Sequence, residues 1–214
     1  MINSLQIKLC GFREEETINF ASKFPIDFLG FIFYKKSPRF VDIKDISQIT
    51  KNIPAHIKKV AVTVDASDEE LKSIIKELKP ELLQLHGDED LPRVKEIKKL
   101  FNLPIIKAFR IASKNDLTPI KDFEEIVDYF LFDTKAGNEK GGSGKSFDWN
   151  ILKDLRTNKP WFLSGGIGHK NIAEALKISG AQIIDLSSSL ESTKGVKSKE
   201  LIQKFISKLE EVRF

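Results

Sequence analysis

Short runs rich in β-branched and aromatic residues alternate with helical patterns along the 214 residues of the chain. This alternation is typical of βα units whose strands join one parallel sheet. Eight such runs recur at a spacing of roughly 22 to 32 residues, about the length of one βα unit. The predicted strands are 5–10, 27–33, 58–65, 81–86, 103–109, 128–133, 160–164 and 181–186.

Apolar residues at helical spacing fill the segments between these strands. One stripe runs from Leu71 to Leu78, and another covers residues 201–206. Ser67 followed by Glu70 predicts a capping box at the start of the first of these two helices. Further helices are predicted over 14–23, 42–51, 90–100, 115–123, 148–155 and 170–178.

Eight alternating units without a break predict an α/β protein, a single-domain (β/α)8 TIM barrel over residues 1–214. With 41% hydrophobic residues, a chain of this length buries a sizeable core as one domain. A doubly wound open sheet is the alternative, but no G-x-G-x-x-G follows the first strand, where a dinucleotide-binding sheet needs it. In a barrel, chemistry is expected at the carboxyl ends of the strands.

Composition excludes several classes of protein. The single cysteine, Cys10, cannot form an internal disulfide. No apolar run approaches the ~18 to 20 residues of a membrane span, and the first residues lack the basic and apolar regions of a signal peptide. Lys and Arg total 35 against 31 acidic residues and are spread along the chain. We therefore expect a cytoplasmic protein with no membrane or nucleic-acid partner, a monomer by default with a homodimer left open.

A thiol and a carboxylate end two of the predicted strands. Cys10 ends the first, on the polar face that it shares with Lys8. Alone, a cysteine is more often a small buried hydrophobe than a catalytic group. Asp133 ends the sixth strand, and it points into the barrel mouth if Phe130 and Phe132, on the opposite face, pack against helices. The pair then has the arrangement of a general base and a general acid across the mouth.

Residues suited to bind anions follow the seventh and eighth strands, where barrels commonly hold phosphate. Gly165 and Gly166 leave backbone N–H groups open to approach, and the serines at 187–189 can begin a short helix. Arg39, in the loop after the second strand, is suited to a carboxylate or a phosphate. Together the glycines and the serine run predict a phosphate pocket on the same rim as the thiol; the alternative is that they form only a turn and a helix start.

The glycine-rich stretch 141–146 ends in Gly-Lys-Ser, as a P-loop does. A P-loop needs its first glycine five positions before Gly144, and that position is Glu139. We therefore predict a mobile lid that closes over a substrate, with an ordinary surface loop as the alternative.

The ordered motifs of the chain resemble one family, the phosphoribosylanthranilate isomerases. The resemblance runs through nearly the whole chain and depends on the order and spacing of motifs that are modest one by one. Ser189 departs from it, because the family pattern has glycine there. The matching stretches are 8–11, 30–33, 36–39, 84–89, 132–134, 141–149, 165–166 and 185–188.

The resemblance implies the Amadori rearrangement of N-(5'-phosphoribosyl)anthranilate to its 1-deoxyribulose 5-phosphate product in tryptophan biosynthesis, with no metal or organic cofactor. It makes Cys10 the general base and Asp133 the general acid, and it assigns Arg39 to the anthranilate carboxylate. It assigns the phosphate to Gly166 and to the backbone around 188–189. His86 and Asp185 match the family but have no assigned chemical step. The full set of candidates for binding the phosphoribosyl substrate is Arg39, His86, Gly165, Gly166, Asp185, Ser188 and Ser189.

A thiol is a poor base at neutral pH unless a nearby cation lowers its pKa. Lys8 lies two residues from Cys10 on the same strand face, so we predict that it lowers the pKa of Cys10. Two other interpretations stay open: another phosphosugar isomerase, and a non-catalytic barrel that binds a phosphate ligand. The nearest such isomerase, shared with histidine biosynthesis, has an aspartate on its first strand where this chain has Cys10.

Overall fold

The computed structural model of the protein describes residues 5–134 and 147–212. Its eight main strands are β1 Gln6–Cys10, β2 Phe28–Ile32, β3 Lys58–Thr63, β4 Leu82–Leu85, β5 Ile105–Ile111, β6 Tyr129–Thr134, β7 Trp161–Leu163 and β8 Ile183–Leu186. They are parallel and close into a barrel in chain order, with β1 paired to β8. The predicted (β/α)8 barrel is therefore confirmed.

Helices cover the outside of the barrel. Ser67 caps its helix with the predicted capping box, in which its side chain accepts the N–H of Glu70. None of the helices in the described ranges is long and apolar enough to cross a lipid bilayer. The helices are α1 Glu15–Ala21, α2 Ile43–Thr50, α3 Asp68–Leu78, α4 Leu91–Phe101, α5 Ile120–Phe123, α6 Ile172–Ser179 and α7 Lys199–Val212.

Two predicted helices are wrong in form. The stretch 115–123 is not continuous, because a 3-10 turn at Lys114–Leu117 is followed by the four-residue α5. Pro119 lies between them, and a proline has no N–H to continue a helical hydrogen-bond ladder. The stretch 148–155 is a 3-10 helix, Trp149–Asp154, rather than an α-helix.

Alternation along the strands separates two apolar layers. Ile7 and Leu9 of β1 belong to the outer layer, which the helices cover. Cys10 belongs to the inner cluster, together with Phe28 and Phe162 from β2 and β7. Because side chains change sides at every residue of a strand, the outward apolar residues fix which residues point into the barrel.

A two-stranded hairpin that the sequence did not predict follows β8. Its strands, β9 Glu191–Thr193 and β10 Val196–Lys197, pair antiparallel. Gly195 in the turn has a φ of 87°. A Cβ at this position would lie 2.4 Å from the carbonyl oxygen of Pro38, so only glycine allows this approach. The hairpin thus packs directly against the loop that carries Arg39.

Candidate active site

A cavity of ≈ 430 Å³ opens at the carboxyl ends of the barrel strands. Ser189 does not line it; its hydroxyl oxygen is buried and has no hydrogen-bond partner in the described part of the chain. The predicted lid at 141–146 lies outside the described residues. The cavity brings together the other eight residues that the sequence predicts for the site: Cys10, Arg39, His86, Asp133, Gly165, Gly166, Asp185 and Ser188.

Lys8 lies inside the barrel next to Cys10 and is fully buried. Its Nζ donates to Oδ1 of Asp185 at 2.9 Å, across the β1–β8 pairing that closes the barrel. Gly30 on β2 leaves room for this arrangement, since a Cβ there would lie 2.6 Å from Sγ of Cys10 and 3.2 Å from Nζ of Lys8. A buried ion pair therefore lies directly beside the thiol.

Burial and Lys8 act on the thiol in opposite directions. Burial raises the pKa of Cys10, whereas attraction to Lys8 lowers it, and burial is the larger effect. The pKa of Cys10 is therefore above its ordinary value, so the predicted direction holds for the contribution of Lys8 but not for the net shift. Burial also disfavours the Lys8 cation, but Asp185 and Cys10 outweigh it and raise the pKa of Lys8.

Asp133 is the penultimate residue of β6, with its carboxylate on the cavity and only 5% of the residue exposed. Phe130 and Phe132 pack in the outer layer, which leaves the intervening positions to the barrel interior. Oδ1 of Asp133 accepts the backbone N–H of Thr134 at 2.8 Å. Its Oδ2 lies 3.4 Å from Nε2 of His86.

His86 is held by a second side chain of the same segment. Nε2 of Gln84 lies 2.9 Å from Nδ1 of His86. With the amide donating to Nδ1, the neutral imidazole carries its proton on Nε2, on the side of Asp133. The structure therefore makes His86 the polar neighbour of the Asp133 carboxylate.

The loops after β7 and β8 supply backbone donors to the cavity. Gly165 and Gly166 have φ values of 88° and 67°. A Cβ on Gly165 would lie 2.2 Å from Oγ1 of Thr134, so glycine is required there. Within residues 5–134 and 147–212, no acceptor pairs with the N–H of Gly165, Gly166 or Ser188. Such clustered N–H groups are suited to bind an anion.

Arg39 is only 4% exposed, and its guanidinium is held by Glu191 of β9. The distances are 2.6 Å from Nε to Oε1 and 2.8 Å from Nη2 to Oε2. Nζ of Lys197 donates to the same Oε1 at 2.6 Å and to the carbonyl oxygen of Ser187 at 3.0 Å. The hydroxyl of Ser187 donates in turn to the carbonyl oxygen of Cys10, so the hairpin is connected to the end of β1.

Sequence reasoning missed Glu191 and Lys197. Their only sequence signal is a glycine turn, at Gly195, between charged residues, and such turns are ordinary on protein surfaces. The burial of both side chains is decided by the packing of the hairpin onto the barrel rim.

Cationic side chains are prominent around the cavity. Lys36, Arg39 and Lys194 line it, together with the carboxylates of Asp133 and Asp185. Since Asp185 is already paired with Lys8, the lining is suited to an anionic small molecule. Within the described ranges, no group of three or more His, Cys, Asp or Glu side chains is arranged to hold a metal ion.

The closed barrel, with a thiol and a carboxylate at the carboxyl ends of its strands, defines the class: a (β/α)8-barrel protein with the layout of an acid–base enzyme. The particular family follows from comparison of its sequence. The family model of N-(5'-phosphoribosyl)anthranilate (PRA) isomerase matches residues 7–208, and the chain belongs to this family.

Individual relatives agree with this assignment. The chain is 40% identical over 208 residues to the N-(5'-phosphoribosyl)anthranilate isomerase of Parvibaculum lavamentivorans, covering 95% of this chain and 97% of that protein. It resembles the solved phosphoribosyl anthranilate isomerase from Thermus thermophilus with a TM-score of 0.86 and 26% identity, over 98% of this chain and 100% of that one. A second solved isomerase, in complex with reduced 1-(o-carboxyphenylamino)-1-deoxyribulose 5-phosphate, has a TM-score of 0.82 and 25% identity, over 97% and 99% of the two chains.

Proposed function

We propose that this protein performs the Amadori rearrangement of N-(5'-phosphoribosyl)anthranilate in tryptophan biosynthesis, with Cys10 as general base and Asp133 as general acid. One observation carries the assignment of roles. The thiol and the carboxylate line the same cavity, which has an arginine on one side and, on another, backbone N–H groups that have no acceptor among the described residues. A substrate with a carboxylate at one end and a phosphate at the other has a partner for each.

The substrate lies in the cavity with its two anionic ends apart. The phosphate accepts hydrogen bonds from the backbone N–H groups of Gly165, Gly166 and Ser188. The anthranilate carboxylate binds the guanidinium of Arg39, since planar carboxylates match its parallel donors. The ribose then lies between them, within reach of the acid and the base.

The reaction needs one proton given and one proton taken. Asp133 donates a proton to the furanose ring oxygen, and the ring opens to a Schiff base. The Cys10 thiolate then removes the proton from C2' and leaves an enolamine, which tautomerises to the ketose product. Lys8 beside the thiol favours the thiolate electrostatically, against the opposing effects of burial and of the Asp185 carboxylate.

The proposed activity can be tested directly with the unstable substrate. It is generated in situ from anthranilate and a phosphoribosyl donor, and loss of the anthranilate-type fluorescence is followed. We expect turnover that is proportional to protein concentration and absent from a heat-denatured sample. If the intact protein produces no turnover, the isomerase assignment is rejected.

A barrel that binds a phosphate ligand without catalysis is the alternative. It shares the backbone donors after β7 and β8 but has no use for the thiol and carboxylate. This alternative predicts that the fluorescence assay shows no increase in rate over the uncatalysed rearrangement. The reduced product would still bind saturably.

We further propose that the protein is a monomer. Within residues 5–134 and 147–212, the only large hydrophobic side chains counted as exposed are Leu100, at 47%, and Val196, at 36%. Two isolated residues do not form the contiguous apolar patch of a stable interface. We expect sedimentation equilibrium to give a single species near the chain mass of 24.3 kDa at micromolar concentration. A mass twice that value would refute this proposal.

We also propose that the protein is cytoplasmic, because of the chemistry of its thiol. A catalytic thiol must stay reduced, and the cytosolic thiol pool maintains that state.

A further inference from the structure

Glu191 and Lys197 form a buried charged cluster with Arg39. The side chains of Arg39, Glu191 and Lys197 are only 5%, 3% and 2% exposed. With Lys197 protonated, two cations surround one carboxylate, and the cluster carries one net positive charge. A buried net charge is unfavourable unless it is matched, so the cluster is suited to one further anion.

Both oxygens of Glu191 are fully used. Oε1 accepts Nε of Arg39 and Nζ of Lys197, each at 2.6 Å. Oε2 accepts Nη2 of Arg39 at 2.8 Å and the backbone N–H of Gly195 at 3.0 Å. Four donors on one carboxylate hold it in a single orientation.

The same contacts determine which edge of the guanidinium remains available. A guanidinium has two edges that present parallel N–H groups, one formed by Nε with Nη2 and the other by Nη1 with Nη2. Glu191 occupies the first edge. In the described part of the chain, Nη1 of Arg39 has no hydrogen-bond partner, and Arg39 lines the cavity. The second edge is therefore the one left for a ligand.

We propose that Glu191 is a positioning residue: it fixes Arg39 side-on, so that the Nη1–Nη2 edge of the guanidinium meets the anthranilate carboxylate. Glu191 lies on the β9–β10 hairpin, and Gly195 allows that hairpin to pack closely against Pro38 in the loop that carries Arg39. This inference rests on the proposed function, because it assumes that the carboxylate binds at Arg39.

Glu191 remains ionised over the working range of pH. Burial opposes its ionisation, but hydrogen bonds from Arg39 and the charge of Lys197 outweigh burial and lower the pKa of Glu191 to about 2. A neutral glutamine at this position therefore removes a charge that is present at every pH at which the enzyme is assayed.

Binding of a matched pair of ligands tests the inference without requiring turnover. The probes are reduced 1-(o-carboxyphenylamino)-1-deoxyribulose 5-phosphate and its carboxamide counterpart, titrated calorimetrically into the intact protein. We expect wild type to prefer the carboxylate by roughly 10- to 100-fold, as for a charge-assisted bidentate contact. We expect Glu191→Gln to reduce that preference to within about 3-fold while carboxamide binding changes little, because losing the fixed orientation of the guanidinium outweighs the additional unmatched positive charge that the substitution leaves in the cluster.

Three further variants complete the experiment. Glu16→Gln is the matched control, because it neutralises a glutamate whose ion pair with Lys199 lies on the surface; it should keep the full preference. Arg39→Met should abolish the preference, and adding Glu191→Gln to it should change the preference no further, since the two residues act through one contact.

A purely structural Glu191 gives a different result. In that case Glu191→Gln would weaken the binding of both ligands equally and leave the ratio of their affinities unchanged. That outcome overturns the inference while leaving the isomerase assignment intact. If wild type shows no preference for the carboxylate, the inference is also overturned. A preference that depends on Glu191 in a protein without turnover would support the inference and reject the reaction. If Glu191→Gln does not fold, Glu191→Asp keeps the charge but shortens the reach, and an unchanged preference in that variant refutes side-on positioning.

Discussion

We expect Cys10→Ala to lower kcat by about two to four orders of magnitude, the usual contribution of a general base, while binding of the reduced product changes little. The reason is that Cys10 is the base in the proposed reaction, and an alanine side chain has no group that can take the C2' proton. Asp133→Asn should produce a loss of similar size, since an amide at this position has no proton of suitable acidity for the ring oxygen. Both are measured as initial rates of fluorescence loss with substrate generated in situ.

The controls separate chemistry from folding. Asp154→Asn removes a carboxylate that pairs with Lys114 and is 55% exposed, far from the cavity lining, and should keep wild-type rates. Each variant is compared with wild type by thermal unfolding. Full activity in either Cys10→Ala or Asp133→Asn would show that the assigned roles are wrong.

We expect Lys8→Met to lower the free energy of unfolding by about 3 to 5 kcal/mol, the usual effect of removing one partner from a buried ion pair. Lys8 is 0% exposed and Asp185 is 6% exposed, so the change leaves a carboxylate buried without its cation. Urea titration measures the loss. In the double variant Lys8→Met with Asp185→Asn, much of the stability should return, because neither charge remains. If Lys8→Met alone is as stable as wild type, this account of the ion pair is wrong.

The same variant should shift the pH dependence of activity. Burial keeps the pKa of Cys10 above its ordinary value, so kcat/KM should rise with pH as the thiolate forms. Lys8 and Lys197 lower that pKa and Asp185 raises it. Removing Lys8 therefore moves the rising limb to higher pH, as measured by kcat/KM against pH or by thiol titration. An unchanged limb would mean that Lys8 acts only on stability.

The fold was predictable because a strand buried on its outer face must alternate apolar and other residues along its length. Because Ile7 and Leu9 face outward, Cys10 was expected to point into the barrel. The outward-facing Phe130 and Phe132 gave the same expectation for Asp133. The helix over 115–123 failed where Pro119 removes a hydrogen-bond donor, a local signal that was present but outweighed by the apolar spacing.

The environment of each site residue was not predictable in the same way. Arg39 was expected to bind an anion, and its first partner is a glutamate of the protein 152 residues away in sequence. Lys8 was expected to lower the pKa of Cys10, but the sign of the net shift depends on how completely the barrel interior excludes water. Neither contact distance nor burial is encoded in the spacing of nearby residues.

The sequence alone therefore determined the barrel, the order of its strands and which residues reach its carboxyl rim, because periodicity and strand ends are local properties of a chain. Only the tertiary structure decided that Lys8 pairs with Asp185 where β1 meets β8, and that a hairpin brings Glu191 onto Arg39. These contacts join segments far apart in the chain, and their energies depend on burial, which exists only once the barrel has closed.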